Sequence, residues 1–107
     1  MNKLKIIGIG SESYPGGRVD SFMVPITQDM HHKYIIPLFR ELGFQEENIM
    51  EKLDVIFSEH SYIFIYGNPQ IKAHLIIEGQ TLIIKLDTNK PKEKIIWAFK
   101  KYFEFPT

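Results

Sequence analysis

The chain contains no cysteine, and this absence excludes disulfide bonds, thiolate metal ligands and a cysteine nucleophile. It also lacks any apolar run close to the roughly 18 residues that a membrane-spanning helix needs. Residues 1–7 include two lysines but no long apolar segment and no small-residue cleavage site, so they predict no signal peptide. We therefore expect a cytoplasmic protein that makes no contact with a membrane.

An excess of positive charge is also missing. The 107 residues include 13 Lys and Arg against 13 Asp and Glu, so the formal charges cancel. Proteins that bind nucleic acids usually carry a basic surplus, because neutralising phosphates supplies much of their affinity. The balance therefore argues against direct binding to nucleic acid.

Length and composition indicate one folded unit. A domain of this length buries roughly two-thirds of the surface that its unfolded chain exposes. The composition, 44% hydrophobic and 24% charged, is ordinary for a globular protein. We expect a single domain over residues 1–107 whose core requires no metal.

Short apolar and β-branched runs predict about five strands. The clearest signal is a hairpin, in which apolar residues alternate on both sides of Gly79 from Leu75 to Leu86. The aromatic run Tyr62–Tyr66 has isoleucines between its aromatic residues, so both of its faces are apolar. This pattern favours a central strand that is buried on both sides, rather than an aromatic face that stacks on RNA bases.

The N-terminal part of the chain predicts two further strands, Leu4–Ile9 and Val19–Ile26. Pro25 cannot donate a ladder hydrogen bond, so the second run is expected at a sheet edge or to end there. The glycine-rich stretch between the two runs predicts a long hairpin loop. Gly8 and Gly10 follow a strand, but the third glycine and the helix of a dinucleotide-binding loop are missing.

Helical spacing of apolar residues predicts three helices. The first contains Pro37 and should be kinked or divided into two pieces. Thr27 or Asp29 is expected to cap it, and Gly43 is expected just after its last turn.

The second helix is predicted from Glu46 to about Ser58, although its β-branched residues 54–57 leave a strand open. Thr88 or Asn89 is expected to cap the third helix, with Pro91 in its first turn. The resulting order is β-β-α-α-β-β-β-α. It predicts an α+β fold with helices on one face of a mostly antiparallel sheet of about five strands.

Four histidines are the residues most suited to chemistry: His31, His32, His60 and His74. A zinc site needs three or four ligands that converge, and no H-x-x-x-H spacing is present. Adjacent side chains on an α-helix diverge by about 100°, so the first two are expected to point apart. Acid–base pairs of His31 with Asp29, or of His60 with Glu59, also stay open. We therefore predict no catalytic, metal or cofactor-binding residue and keep a small metal- or His-dependent enzyme as an alternative.

Charge is unevenly distributed along the chain. From Glu41 to Glu59 there are six acidic residues against one lysine, whereas from Lys85 to Lys101 there are six lysines against two acidic residues. Ordinary solvated helix faces give such patterns, but an acidic surface also attracts a basic protein partner. The acidic middle of the chain is therefore the predicted docking surface.

The chain resembles the small bacterial immunity proteins of contact-dependent growth inhibition systems. The resemblance lies in its size, its Lys- and Ile-rich composition, the acidic Glu46–Glu59 helix and the Leu75–Leu86 hairpin. No motif carries it, so no functional residue is transferred by position. It implies a non-catalytic inhibitor that binds a cognate toxin and occludes its active site, and the toxin would be a basic nuclease domain.

The leading hypothesis is therefore a cytoplasmic binding protein that neutralises a basic toxin domain. The second alternative is a structural homo-oligomeric subunit that pairs through Val19–Ile26. The predicted partner-binding residues are five acidic side chains and two aromatic anchors: Glu46, Glu47, Glu51, Asp54, Glu59, Phe44 and Tyr62.

Overall fold

The computed structural model describes residues 2–44, 49–59, 63–66 and 71–106. Seven strands, three α-helices and one π-helical segment lie within these ranges. In chain order they are β1 Leu4–Lys5, β2 Gly8–Tyr14, β3 Gly17–Pro25, the π segment His31–Ile35, α1 Ile36–Glu41, α2 Ile49–Glu59, β4 Ile63–Tyr66, β5 Lys72–Glu78, β6 Thr81–Thr88, α3 Lys92–Lys100 and β7 Phe103–Glu104. The α+β class is therefore confirmed.

Five strands form one antiparallel sheet in the order β2-β3-β6-β5-β4, and β1 pairs in parallel with β7. The strands alternate between the two faces, and one face is buried in β3, β5 and β6. Phe22 of β3 stacks on Phe99 of α3, with 3.8 Å between their ring centroids. The core therefore lies between this face and the helices, as the sequence predicts. The predicted strand Leu4–Ile9 is divided into β1 and the start of β2, and the pairing of β1 with β7 was not predicted.

The glycine-rich stretch is a strand and a tight turn, so the predicted long loop is wrong. Tyr14 pairs with Gly17, which leaves only Pro15 and Gly16 in the turn. Gly16 has a φ of +94°. Proline followed by glycine with positive φ is the arrangement of a type II turn.

Two predicted strand positions are also wrong. The Val19–Ile26 run was expected at an edge, but β3 lies between β2 and β6, and Pro25 ends it. The aromatic run was expected at the centre, but β4 lies at the sheet edge and pairs with β5 among the described strands. Apolar patterning therefore identified these runs as strands without fixing their neighbours.

Pro37 divides the first helix as predicted. The preceding segment has π geometry, in which the Ile36 N–H donates to the carbonyl of His31. The α1 helix ends with Gly43 at a φ of +96°. The Phe44 N–H donates to the Phe39 carbonyl at 2.9 Å, which is the 6→1 hydrogen bond of a Schellman motif. The rings of these two phenylalanines also stack at 4.7 Å.

The predicted caps are wrong at both helix starts. Neither Thr27 nor Asp29 makes a side-chain cap, and Asp29 has a φ of +60°. Pro91 is the N-cap of α3, while Thr88 Oγ1 accepts a hydrogen bond from the Lys90 N–H at 3.0 Å. The Thr88 side chain therefore binds a backbone N–H just after β6 and does not cap α3.

The second and third helices are confirmed over the described residues, whereas the predicted start of the second at Glu46 lies outside them. Residues 54–57 are helical, so the strand alternative is wrong. Leu53 of α2 and Phe99 of α3 are fully buried. Among the described helices, none combines the length and the apolar character that crossing a membrane would require.

Candidate metal centre

His31 and His32 point toward each other, contrary to the sequence-based expectation. Their ring centroids are 4.1 Å apart. The π segment has more residues per turn than an α-helix, so consecutive side chains diverge less. The expected divergence assumed α-helical geometry, which this segment does not have.

Two aspartates complete a four-residue group, which we call the His–Asp cluster: Asp29, His31, His32 and Asp54. Asp29 Oδ1 contacts His32 Nδ1. Asp54, on α2, places Oδ1 2.9 Å from His31 Nε2 and 3.5 Å from His32 Nε2. The cluster therefore connects the start of the first helix with α2. Each ring nitrogen of His32 therefore faces a carboxylate, Nδ1 that of Asp29 and Nε2 that of Asp54.

The predicted acid–base pairs are not the pairs that form. His31 contacts Asp54, which was assigned to partner binding, and Asp29 contacts His32. The other predicted pair, His60 with Glu59, lies outside the described side chains.

The donor atoms of the His–Asp cluster suit a metal ion in both type and spacing. Ligand atoms of Asp29, His31 and His32 lie within 4.8 Å of one another. Zinc bonds to imidazole nitrogen and carboxylate oxygen are about 2.0–2.2 Å, which places tetrahedral ligand atoms about 3.3 Å apart. The Asp54 contacts of 2.9 and 3.5 Å bracket that separation. Imidazole and carboxylate together favour zinc and its neighbours over magnesium or calcium.

The cluster is accessible from solvent on one side. The His31 side chain retains 14% of its exposure, whereas those of His32, Asp29 and Asp54 retain 42%, 45% and 53%. A hydrated ion can therefore reach the cluster without local unfolding.

His74 does not join this group. It lies on β5, directly opposite Lys85 of β6. Burial lowers the pKa of His74, and the nearby charges of Lys72 and Lys85 lower it further, against an opposing effect of Asp87. An imidazole beside two lysines is a poor place for a cation.

A tyrosine–aspartate contact lies on the same open face of the sheet. The Tyr14 hydroxyl donates a hydrogen bond to Asp87, and this bond raises the pKa of Tyr14. The Tyr14 ring lies against Gly17, where an added Cβ would come within 2.6 Å of the hydroxyl oxygen. Glycine at position 17 therefore permits the Tyr14–Asp87 contact.

The aromatic anchors proposed from the sequence find no support in the described residues. Phe44 is only 3% exposed, because the Schellman ending packs it on Phe39, so its assignment as an anchor is wrong. Tyr62 lies outside the described residues. The most exposed aromatic side chain among the described residues is Trp97 of α3, at 59%. It borders a groove of about 460 Å³ between the end of α1 and α3.

The predicted acidic surface is described only in part. Glu46, Glu47 and the Glu59 side chain lie outside the described set, and Glu51 is exposed on α2. Asp54 contacts the two histidines. Glu41 forms an ion pair with Lys101 at 2.7 Å, so one of the C-terminal lysines neutralises part of the acidic segment.

One sequence signal pointed to the cluster. Asp29 and His32 are three residues apart, near enough in the chain for their side chains to meet, although Asp29 precedes the helical segment. The contribution of Asp54 depends on how α2 packs, which no local spacing records. Comparison of the chain with protein-family models, curated proteins and solved structures found no match.

Proposed function

We propose that the chain binds one divalent transition-metal ion, of which Zn²⁺ is the best fit, at the His–Asp cluster. The observation that carries this proposal is the position of Asp54, whose carboxylate reaches both His31 and His32 from a different helix. An imidazole gives one nitrogen to one ion, so the ligands that connect the two elements are His31, His32 and Asp54, with water in the fourth position. Asp29, on the other nitrogen of His32, would orient that ring.

The proposed role of the ion is structural. It would hold α2 against the start of the first helix. The residues directly before α2 lie outside the described set. Because the unfolded chain does not hold these four side chains together, metal binding free energy adds to folding free energy. The carboxylates already lie against imidazole nitrogens, so the ion would enter between groups that are in contact.

We expect the metal-free protein to bind one Zn²⁺ per chain and to become more stable on doing so. A free ion concentration of about 100 times the Kd should add about 2.7 kcal/mol. For a domain of this size, that raises the Tm by on the order of 10 °C. Isothermal titration calorimetry gives the stoichiometry, and thermal unfolding with and without Zn²⁺ gives the shift.

Two further ions make the measurement specific. Co²⁺ should give the intense visible absorption of tetrahedral coordination, and Mg²⁺ should leave the Tm unchanged because it prefers oxygen ligands and octahedral geometry. A protein that takes up no Zn²⁺ at micromolar concentrations, or responds equally to Mg²⁺, would contradict the proposal.

A second candidate function is the toxin-neutralising role inferred from the sequence. It is supported by the exposure of Glu51 and by the 53% exposure of the Asp54 side chain, which leave negative charge on the outer surface of α2. Trp97 adds an exposed aromatic side chain of the kind that anchors protein interfaces. Such an inhibitor would act by steric and electrostatic occlusion.

We expect Glu51→Lys to slow association with a basic toxin domain encoded beside this chain's gene. Removing an attractive charge at an interface reduces the association rate roughly several-fold and weakens its salt dependence. Surface plasmon resonance against that domain, at two salt concentrations, measures both effects. Glu78→Lys, an equal charge reversal at the exposed end of β5, is the control. Equal rates for wild type and Glu51→Lys would remove the electrostatic basis of this role.

A further inference from the structure

Strand β2 presents an unprotected edge of the sheet. Among the described strands it pairs with β3 alone, whereas β3 pairs on both sides. No backbone hydrogen bond from residues 9–13 to any described residue beyond β3 is present. A seven-residue edge with free backbone groups is a template for another strand.

The register identifies which backbone groups point outward. The Ile26 N–H bonds the Gln80 carbonyl at 2.8 Å, which marks even-numbered residues of β3 as those that bond to β6. Because bonding direction alternates along an antiparallel strand, the odd-numbered residues of β3 bond to β2. Their partners in β2 are even-numbered. The N–H and carbonyl groups of Ile9, Ser11 and Ser13 therefore point away from the sheet.

This edge lacks the features that usually prevent strand pairing. Natural edge strands carry lysine, proline or a bulge, but β2 reads GIGSESY and has Glu12 as its one charged residue. The large apolar side chains most exposed in the described chain are also concentrated here. Three of the five, Ile7, Ile9 and Tyr14, lie on β2 or directly before it.

We infer that β2 pairs with β2 of a second copy of this chain, antiparallel about a twofold axis at Ser11. In this register Ile9 faces Ser13 of the second copy, and all three outward-pointing residues form hydrogen-bonded pairs, with about six bonds in total. Glu12 faces Gly10, and Tyr14 faces Gly8, so these two large side chains each meet a glycine. An axis at Glu12 would instead place two carboxylates opposite each other, which is destabilising.

The inferred dimer joins two five-stranded sheets into one continuous sheet. It does not depend on the His–Asp cluster, whose residues belong to the helical layer. It also replaces the pairing through Val19–Ile26 that the sequence suggested, because β3 has no free edge.

The test is the mass of the intact chain in solution. Sedimentation velocity from 1 to several hundred µM should show a concentration-dependent dimer for the wild type. Ile9→Lys should raise the dimer Kd roughly tenfold or more, because the dimer contains the altered pair twice and lysine blocks edge pairing. Val55→Lys, at another exposed aliphatic residue, is the matched control and should leave the Kd unchanged.

Two further measurements locate the interface. Ser13→Pro removes an outward N–H that bonds to nothing within the described sheet, so it should abolish the dimer while the far-ultraviolet circular dichroism stays the same. Amide exchange at Ile9, Ser11 and Ser13 should slow as the dimer forms. A wild type that stays monomeric, or a dimer that survives both substitutions with fast exchange at these amides, would overturn the inference.

Discussion

Replacing His32 with alanine is expected to weaken Zn²⁺ binding by more than about 100-fold. Changes to residues that only support a ligand already cost about 10–100-fold, and His32 is the member of the cluster that contacts both aspartates. Its loss removes one donor and leaves the two carboxylates without the group between them. A competition titration against a chelator of known affinity measures the change.

The other members of the cluster should follow a graded order. His31→Ala should be as damaging as His32→Ala, because imidazole supplies the zinc-preferring donors. Asp54→Asn should cost less, since an amide oxygen keeps the shape of the carboxylate and loses its charge. These four residues act on one ion, so combined substitutions should fall short of additivity.

A matched control separates ligand loss from general damage. His74→Ala removes a histidine whose neighbours are lysines, so Zn²⁺ affinity should be unchanged. Without metal, His32→Ala should alter the free energy of unfolding little, because this side chain is 42% exposed. If all the histidine variants bind Zn²⁺ equally, the ion is held somewhere else and the cluster is not its site.

Local patterns predicted the parts of the fold that local physics determines. The β5–β6 hairpin was recognised because its apolar residues alternate regularly about Gly79. Gly43 was placed correctly because a Schellman ending requires a residue with positive φ. In each case the residue type itself sets the backbone conformation.

The incorrect predictions concern structure that depends on contacts between a segment and distant parts of the chain. Residues 8–14 have low strand propensity and become β2 because they bond along the length of β3. The His–Asp cluster was missed for a related reason. Pro37 predicts a break in the helix but not the π geometry of the segment that contains His31 and His32. Asp54 lies on a different helix, more than twenty residues further along the chain.

Replacing Asp20 with alanine is expected to destabilise the fold by about 3–5 kcal/mol, the usual cost of removing one partner of a buried ion pair. Asp20 is 1% exposed and lies on the core face of β3. Several hydrogen-bond donors contact the buried Asp20 carboxylate. The Arg18 Nε–H lies 2.8 and 2.9 Å from the two carboxylate oxygens, and the Ser11 hydroxyl donates at 2.8 Å.

Arg18 explains why the loss should be large. Its side chain is 17% exposed, and the hydrogen bond to Asp20 raises the pKa of its guanidinium. Its Nη2 also donates to the Lys90 carbonyl at 2.8 Å, so the group cannot turn to water without breaking another bond. Asp20→Ala would therefore leave a largely buried cation without its counter-ion, and the Tm should fall by on the order of 15 °C or more.

A double-mutant cycle distinguishes this cause from simple loss of packing. Arg18→Met combined with Asp20→Leu should recover most of the stability, because an apolar pair avoids the desolvation of both charges. Asp20→Asn should lie between, since its amide oxygen still accepts from Ser11. Urea unfolding of the wild type, Arg18→Met, Asp20→Leu and the double variant gives the coupling free energy. A loss below about 1 kcal/mol for Asp20→Ala would mean that water reaches Arg18 in the folded protein, and that the carboxylate contributes little to joining β2, β3 and the start of α3.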